Sequence, residues 1–267
     1  MLHYNQNVIK AGKGMLVVER QRKIVELVNE RASVRVTELS SLFHVTEETI
    51  RRDLEKLEKE QLLHRSHGGA VRIEEGATEI AHEAREVMRM QEKQAIAKAA
   101  VSEIQTGERI ILDASTTAWY MAKELPNMPL TIITNSIKVA LACSTKDQIR
   151  VISLGGQLLS KSLSFVGPLT ERSLTTYYVD KTFLSCKSVH LEHGLSDSNE
   201  QQAIVKKQMI EIAGQTILLA DSSKFGKRAF ATITDLGRIS KVYTDIGIDS
   251  VTKSYFEKQN MEFQAVN

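Results

Sequence analysis

The chain has 267 residues, enough for two domains, and its 42% hydrophobic and 25% charged content is that of an ordinary water-soluble protein. No apolar run approaches the ~20 residues of a membrane span, and residues 1–15 lack the continuous apolar stretch of a secretory signal, so a cytoplasmic protein with no membrane partner is expected. A formal net charge of +2 is too small for bulk electrostatics to hold nucleic acid, and any DNA affinity has to come from local clusters.

Residues 1–14 show no hydrophobic period, whereas a helical pattern begins at Met15. A disordered extension over 1–14, ahead of a start at Met15, is the expectation. Ile24, Leu27 and Val28 then share one face of a first helix. Ser33 to Val36 reads as a short extended link. Thr37 is the expected cap of a second helix with Leu39, Leu42 and Phe43 inward, and His44-Val45 forms a turn. Thr46 caps a third helix over 47–59. Two helices joined by so tight a turn, after another helix, make a helix-turn-helix.

In the third helix Ile50, Leu54 and Leu57 fall at i, i+4 and i+7 and face the core. Glu48, Arg52, Glu55 and Lys59 point the other way, with Thr49 and Lys56 on one flank and Arg51 on the other. This puts Thr46, Glu48, Thr49 and Arg52 on the exposed N-terminal half, the part that enters a major groove. Arg can bind guanine O6 and N7, and Glu can accept from cytosine N4. Glu48–Arg52 and Glu55–Lys59 are also i,i+4 pairs that would solubilise any exposed helix; the surrounding domain favours the DNA reading. Residues 62–72 carry Gly68-Gly69 between apolar and basic arms, a β-hairpin wing with Arg65, His64 and His67. Arg65 suits a phosphate. The histidines are packing or DNA-facing residues, since no Cys or acidic partner stands near them for a metal.

From Val36-Thr37-Glu38-Leu39 through Thr49-Ile50-Arg51-Arg52-Asp53-Leu54 to Gly68-Gly69-Ala70, residues 17–72 resemble the DeoR-type winged helix-turn-helix, whose members are sugar-responsive regulators and mostly repressors. The DNA-facing set is Thr37, Thr46, Glu48, Thr49, Arg51, Arg52, Arg65 and His67.

Residues 73–90 are polar, are interrupted by Gly76 and read as a linker. A helix over 92–104 follows. Strands are expected at 109–113, 130–134, 149–153, 181–185, 215–220 and 241–245, and helices at 116–125, 136–143, 168–175, 199–213 and 249–258. The fold class is therefore a small α+β winged helix-turn-helix domain followed by an α/β domain, 91–267, with a mostly parallel sheet and helices on both faces. Cys143 and Cys186 lack CxxC spacing and read as reduced, buried thiols rather than a disulfide or metal pair. No cofactor is expected.

Ligands of such sheets bind at the carboxyl ends of the strands. Those ends hold Asp113 with Ser115-Thr116-Thr117, Asn135-Ser136, Gly155-Gly156, and Asp221-Ser222-Ser223-Lys224. Each alone is more often a helix cap or turn; together they suggest a small, polar, anionic ligand, with Lys224 supplying charge and Asp113 or Asn135 holding hydroxyls. Trp119 reads as core in preference to a ligand wall. The motifs at 113–117, 134–136, 155–156, 164–168 and 221–225 are similar, in order, to the DeoR-type sensor domain, which resembles the ribose-phosphate isomerase and CoA-transferase fold. The resemblance implies a phosphorylated-sugar effector with its phosphate on Ser115, Thr116 and Thr117 and with Lys224 in contact. Lys206 and Lys187 complete the effector-facing set. The segment Ser185-Cys186-Lys187-Ser188-Val189-His190 departs from the family, which has a small residue and then a Gly there; Gln202 stands where Glu is usual. Lys187, Ser188 and His190 retune the site, or else Lys187 is simply solvent-exposed and His190 packs on the loop.

An active sugar-phosphate isomerase is the alternative. It needs a carboxylate base, and the loop after 181–185 offers none before Glu192, so no catalytic residue is assigned. An oligomeric scaffold would leave the wing and reading helix without a purpose. Helix-turn-helix proteins commonly read symmetric operators, so double-stranded operator DNA and a homo-oligomer, dimer or tetramer, are the expected partners.

Overall fold

A computed structural model describes residues 15–60, 62–72, 80–259 and 261–267. The expectation for 1–14 and the 73–79 part of the linker reading lie outside the described residues. The chain divides into two units, Met1–Gly76 with Glu83–Met88, and Ala77–His82 with Arg89–Asn267.

The first unit contains α1 (Val17–Arg31), β1 (Ser33–Arg35), α2 (Val36–Phe43), α3 (Glu47–Lys59), β2 (His64–Ser66) and β3 (Gly69–Val71). Its core gathers Ile24, Val25 and Val28 of α1, Leu39 and Phe43 of α2, Ile50, Leu54 and Leu57 of α3, and Val34, Leu63 and Ala70. The expected inward positions Leu27 and Leu42 are only partly buried. Thr37 is not the cap of α2. The helix opens one residue earlier, at Val36, and Arg35 stands at the cap position without a side-chain bond. Burial of Val36 draws that residue into the helix, and its amide donates to Gly68 O at 2.9 Å. The extended link is a strand: β1 pairs antiparallel with β3, giving the order β1-β3-β2. Gly69 is required by that approach, since a Cβ there would meet Val34 O at 2.1 Å.

Asp53, inside the arginine-rich run of α3, is buried. A buried carboxylate must be paired to be tolerated, and Arg20 Nε and Gln21 Nε2 donate to it at 2.7 and 2.8 Å. This ties α1 to α3 by a polar clasp beside the apolar core.

A short helix, α4 (His82–Val87), lies in the stretch read as linker. All of that helix after His82 belongs to the first unit, and the second unit contains α5 (Met90–Ala100), β4 (Arg109–Leu112), α6 (Thr116–Glu124), β5 (Leu130–Thr134), α7 (Ile137–Cys143), β6 (Ile149–Ser153), β7 (Gln157–Leu159), β8 (Ser164–Val166), α8 (Pro168–Leu174) and β9 (Val179–Leu184). Then come β10 (Ser188–His190), β11 (Gly194–Asp197), α9 (Glu200–Glu211), β12 (Ala213–Leu219), β13 (Ala231–Thr234), β14 (Lys241–Asp245), α10 (Ser250–Lys258) and β15 (Glu262–Val266).

Seven parallel strands form the main sheet in the order β15-β14-β12-β9-β4-β5-β6. Alternate residues of β4 serve opposite faces, as a doubly covered strand requires. Ile110 and Leu112 pack with Ile96 of α5 and Met121 of α6. Ile111 packs with Val205 and Met209 of α9. Trp119 is half-buried against the α5–α6 core, with Lys123 Nζ 4.3 Å above its ring. The chain lays β5 and β6 on one side of β4, then returns to lay β9, β12, β14 and β15 on the other. The order reverses between β4 and β9, the place where such sheets bind ligands.

Candidate functional site

Most of the residues expected to face DNA stand on α3 and its cap. Thr46 caps it, its Oγ1 accepting from Thr49 N at 3.2 Å, and the two threonine hydroxyls share a 2.9 Å bond. Glu48, Arg51 and Arg52 are exposed. Arg52 Nε lies 3.3 Å from Glu48 Oε1, and Arg51 Nη2 lies 2.6 Å from Glu47 Oε2. These are solvated i,i+4 pairs, a class that contributes only about 0.3–0.5 kcal/mol. A bidentate Arg–guanine contact discriminates by about 1–3 kcal/mol, so the pairs present no obstacle to base contact. Arg65 and His67 are exposed on the wing. Arg65 N donates to Glu58 Oε1 at 2.8 Å, which ties the wing to the C-terminal half of α3 and away from the Thr46–Arg52 half. Lys59, hydrogen-bonded to Glu55, holds that carboxyl below its ordinary value, with a smaller pull from Arg65. Thr37 is exposed near the start of α2.

In the second unit the reversal point holds a buried polar cluster. Asp113, directly after β4, accepts from Ser115 N through Oδ1 and from Ser185 N, directly after β9, through Oδ2, both at 3.1 Å. One carboxylate thus clamps the two strand ends that flank the reversal. Lys206 Nζ lies 3.6 Å from Asp113 Oδ2 and donates to Asp197 Oδ2 at 2.7 Å. Burial works against the Lys206 ammonium, but Asp197 and Asp113 outweigh it and raise its pKa. Lys224 Nζ donates to Ser185 Oγ at 2.6 Å, and Ser185 Oγ donates to Leu219 O at 2.5 Å. Asp113, Ser185, Lys206 and Lys224 therefore meet at one place.

Ser115 and Ser136 cap α6 and α7, their hydroxyl oxygens accepting from Ala118 N at 3.1 Å and Val139 N at 3.2 Å. Capping uses a lone pair and leaves the O–H free to donate, so the cap and ligand roles are compatible. Thr116 and Thr117 form the first turn of α6, where backbone N–H groups lack intrahelical partners. Thr117 Oγ1 and Asn135 Oδ1 are buried without a hydrogen-bond partner. Asn135 Nδ2 donates to Phe165 O at 2.9 Å. Gly155 and Gly156 follow β6, two strands from β4. The glycine at 156 makes room for the protein itself: a Cβ would meet Thr170 Oγ1 at 2.2 Å and Val166 O at 2.7 Å. Lys187 is half-buried, its amide donating to Ser196 O at 3.0 Å.

Sequence reasoning missed Asp197 and Ser185. Asp197 ends a short strand just before the Asn199 cap of α9, the same strand-end, polar, helix-cap pattern that marked the other sites. With Asp113 it makes two carboxylates at the site, and both lie against the single ammonium of Lys206. Cys186 is buried beside the cluster, and burial pushes its thiol up to about 12 against the pull of Lys224 and Lys206.

Residues 20–76 match the model of the DeoR-like helix-turn-helix domain, and residues 88–246 match that of the DeoR C terminal sensor domain. The uncharacterized HTH-type transcriptional regulator YulB of Bacillus subtilis is 59% identical over 252 residues, covering 94% of this chain and 98% of its own. The HTH-type transcriptional repressor GlcR of the same organism is 34% identical, covering 85% and 88%. The L-fucose operon activator of Haemophilus influenzae is 33% identical, covering 91% and 97%. Among solved structures, ribose 5-phosphate isomerase A of Methanocaldococcus jannaschii aligns at 20% identity and a TM-score of 0.39 over 51% of this chain and 55% of its own, which carries no argument about activity. With the reading head, the sensor domain and relatives named as regulators over nearly its full length, the chain belongs to the DeoR family of DNA-binding transcription regulators and is a regulator, not an enzyme.

Proposed function

We propose that this regulator represses a sugar-catabolic operon in the cytoplasm, and that a phosphorylated sugar at the β4/β9 reversal controls its hold on operator DNA. The observation that carries the effector reading is the buried cluster of Asp113, Asp197, Lys206 and Lys224 beside the capped first turn of α6, with Thr117 Oγ1 and Asn135 Oδ1 left unpaired. Buried polar atoms are almost always satisfied in native proteins, so two orphans at the ligand-binding end of a parallel sheet support an occupant rich in donors. A helix N-terminus with Ser115, Thr116 and Thr117 suits its phosphate. Lys224, half-buried, adds charge, while Lys206 is already committed to two carboxylates and orients them toward sugar hydroxyls. Ser136 and Lys187 stand at the edge of this set, and Gly155-Gly156 contributes backbone shape rather than contact.

Thr46, Glu48, Thr49 and Arg52 read bases, Arg51, Arg65 and Thr37 bind phosphates, and His67 lies along the wing. A homodimer or tetramer presents two reading heads to two half-sites. The test is a mobility-shift titration with DNA from upstream of the protein's own gene, repeated with a panel of hexose and pentose phosphates. A sugar phosphate that weakens the shift supports repression relieved by effector. One that strengthens it reverses the direction of control. Indifference to the whole panel sinks the effector reading.

A further inference from the structure

The turn joining β10 to β11 gathers three metal-ligating side chains outside the strand-end cluster. One ligand atom from each of His190, Glu192 and His193 lies within 4.8 Å of the others. The two imidazole rings stack with centres 4.6 Å apart and planes 28° from parallel.

The turn is held from several sides. His190 and Gly194 close the antiparallel register of the hairpin. Tyr255 Oη donates to Leu191 O at 3.1 Å. Gly194, at φ +71°, sits where a Cβ would meet Thr234 O at 2.1 Å, so β13 packs directly behind it. Ligands on a fixed backbone lose less freedom on binding. His190 is half-buried while Glu192 and His193 are exposed, which leaves room for water as a further ligand.

We propose that His190, Glu192 and His193 form a binding site for a divalent transition metal ion of the Zn²⁺ or Ni²⁺ kind. Two imidazole nitrogens and one carboxylate oxygen suit these borderline ions, whereas Mg²⁺ and Ca²⁺ take oxygen ligands. Three protein ligands with an open position is a common zinc arrangement. The Glu192 amide donates to His190 Nδ1 at 3.2 Å, a long bond that a metal at that nitrogen can replace. The same hairpin ends in Asp197, so an ion at its tip would stiffen the strand that holds Lys206. The site itself does not depend on the effector reading.

The experiment is calorimetric titration of the metal-stripped full chain with Zn²⁺, Ni²⁺ and Mg²⁺, alongside His193→Ala, Glu192→Gln and, as a control, His67→Ala. All three substitutions sit at exposed turn positions and spare the core. The expected result is one equivalent of Zn²⁺ or Ni²⁺ bound, roughly tenfold or greater weakening in His193→Ala, a smaller loss in Glu192→Gln, and none in His67→Ala. Co²⁺ bound in place of zinc should show visible absorption that disappears with His193→Ala. Affinity unchanged by His193→Ala, Mg²⁺ bound as tightly as Zn²⁺, or no Zn²⁺ binding tighter than about 1 mM would each overturn the proposal.

Discussion

Carboxylates paired with cations occur in both units, in opposite settings. Along α3 the Glu48–Arg52 pair leaves its side chains 62% and 79% exposed. At the sheet reversal the Lys206–Asp197 pair leaves 9% and 12%. Water and salt already screen the first kind, so exchanging Glu48 for a base edge costs little. The second kind has no water to fall back on, and its partners stay together because separation would strand a buried charge. The proposed reading surface is therefore made of contacts that can be given up, and the proposed effector site of contacts that cannot.

Substitutions that remove one buried partner should break this contrast most visibly. Lys206→Met strands Asp113 and Asp197 together, and breaking a buried pair from one side costs about 3–5 kcal/mol. Because two carboxylates lose their cation, the upper part of that range is expected in urea denaturation. Arg109→Ala, at the largely exposed pair with Asp180 in the same unit, should cost less than about 1 kcal/mol. Equal costs for the two would erase the distinction. Asp53→Ala tests the first unit's own buried clasp. It strands Arg20, and a loss of about 3 kcal/mol is expected by the same reasoning. A change within a few tenths of wild type would mean that Arg20 reaches solvent without the carboxylate.

Exposed partners should behave differently, affecting recognition and leaving stability alone. Arg52→Ala should relax base preference at one operator position at a cost of about 1–3 kcal/mol in binding, with an unchanged urea midpoint. Arg65→Ala should weaken binding to all sequences alike and reduce the salt slope by about one phosphate contact. If Arg65→Ala altered preference and Arg52→Ala only the slope, the roles of wing and helix would be exchanged.

The two units were also unequally legible in the sequence. The bounds of α3, its Thr46 cap and the apolar positions 50, 54 and 57 follow from helical period and cap chemistry, which are local. Six strands of the main sheet were marked by short apolar runs. The seventh, β15, is an edge strand with an exposed pattern and no such run. The strands β7, β8, β10, β11 and β13 are three or four residues long, too short to carry a hydrophobic period; β7–β8 and β10–β11 are hairpins, and β13 owes its form to a partner far along the chain. Asp53 passed as one more polar residue because its partner Arg20 stands 33 positions away. Asp197 stands only nine positions before Lys206, but a strand-end Asp just ahead of a helix cap reads as a capping residue, and only the turn of the chain from β11 into α9 shows that it meets the lysine. Thr37 misled because a hydroxyl before a helical pattern is a good cap signal, and burial of Val36 overrode it.

The weakest test of the contrast uses pH, and it turns on Asp221. Burial works against its charge, yet Lys224, Lys93, Ser223 and Arg89 outweigh it and hold the carboxyl below its ordinary 3.8. A group depressed in the folded state stabilises the fold fully above the unfolded value, and that contribution fades as pH falls through the folded one. Asp221→Asn should therefore be less stable than wild type at pH 7, with a gap constant down to about pH 5 and closing below about pH 4. Asp180 and Glu103 are also held low, but they titrate alike in both proteins and cancel from the difference. A gap that instead persisted unchanged into acid would show that the Asp221 charge contributes nothing. The carboxylate would then act only through the neutral geometry it shares with Asn, accepting from Ser223 N at 3.2 Å, and the cations around it would be satisfied elsewhere.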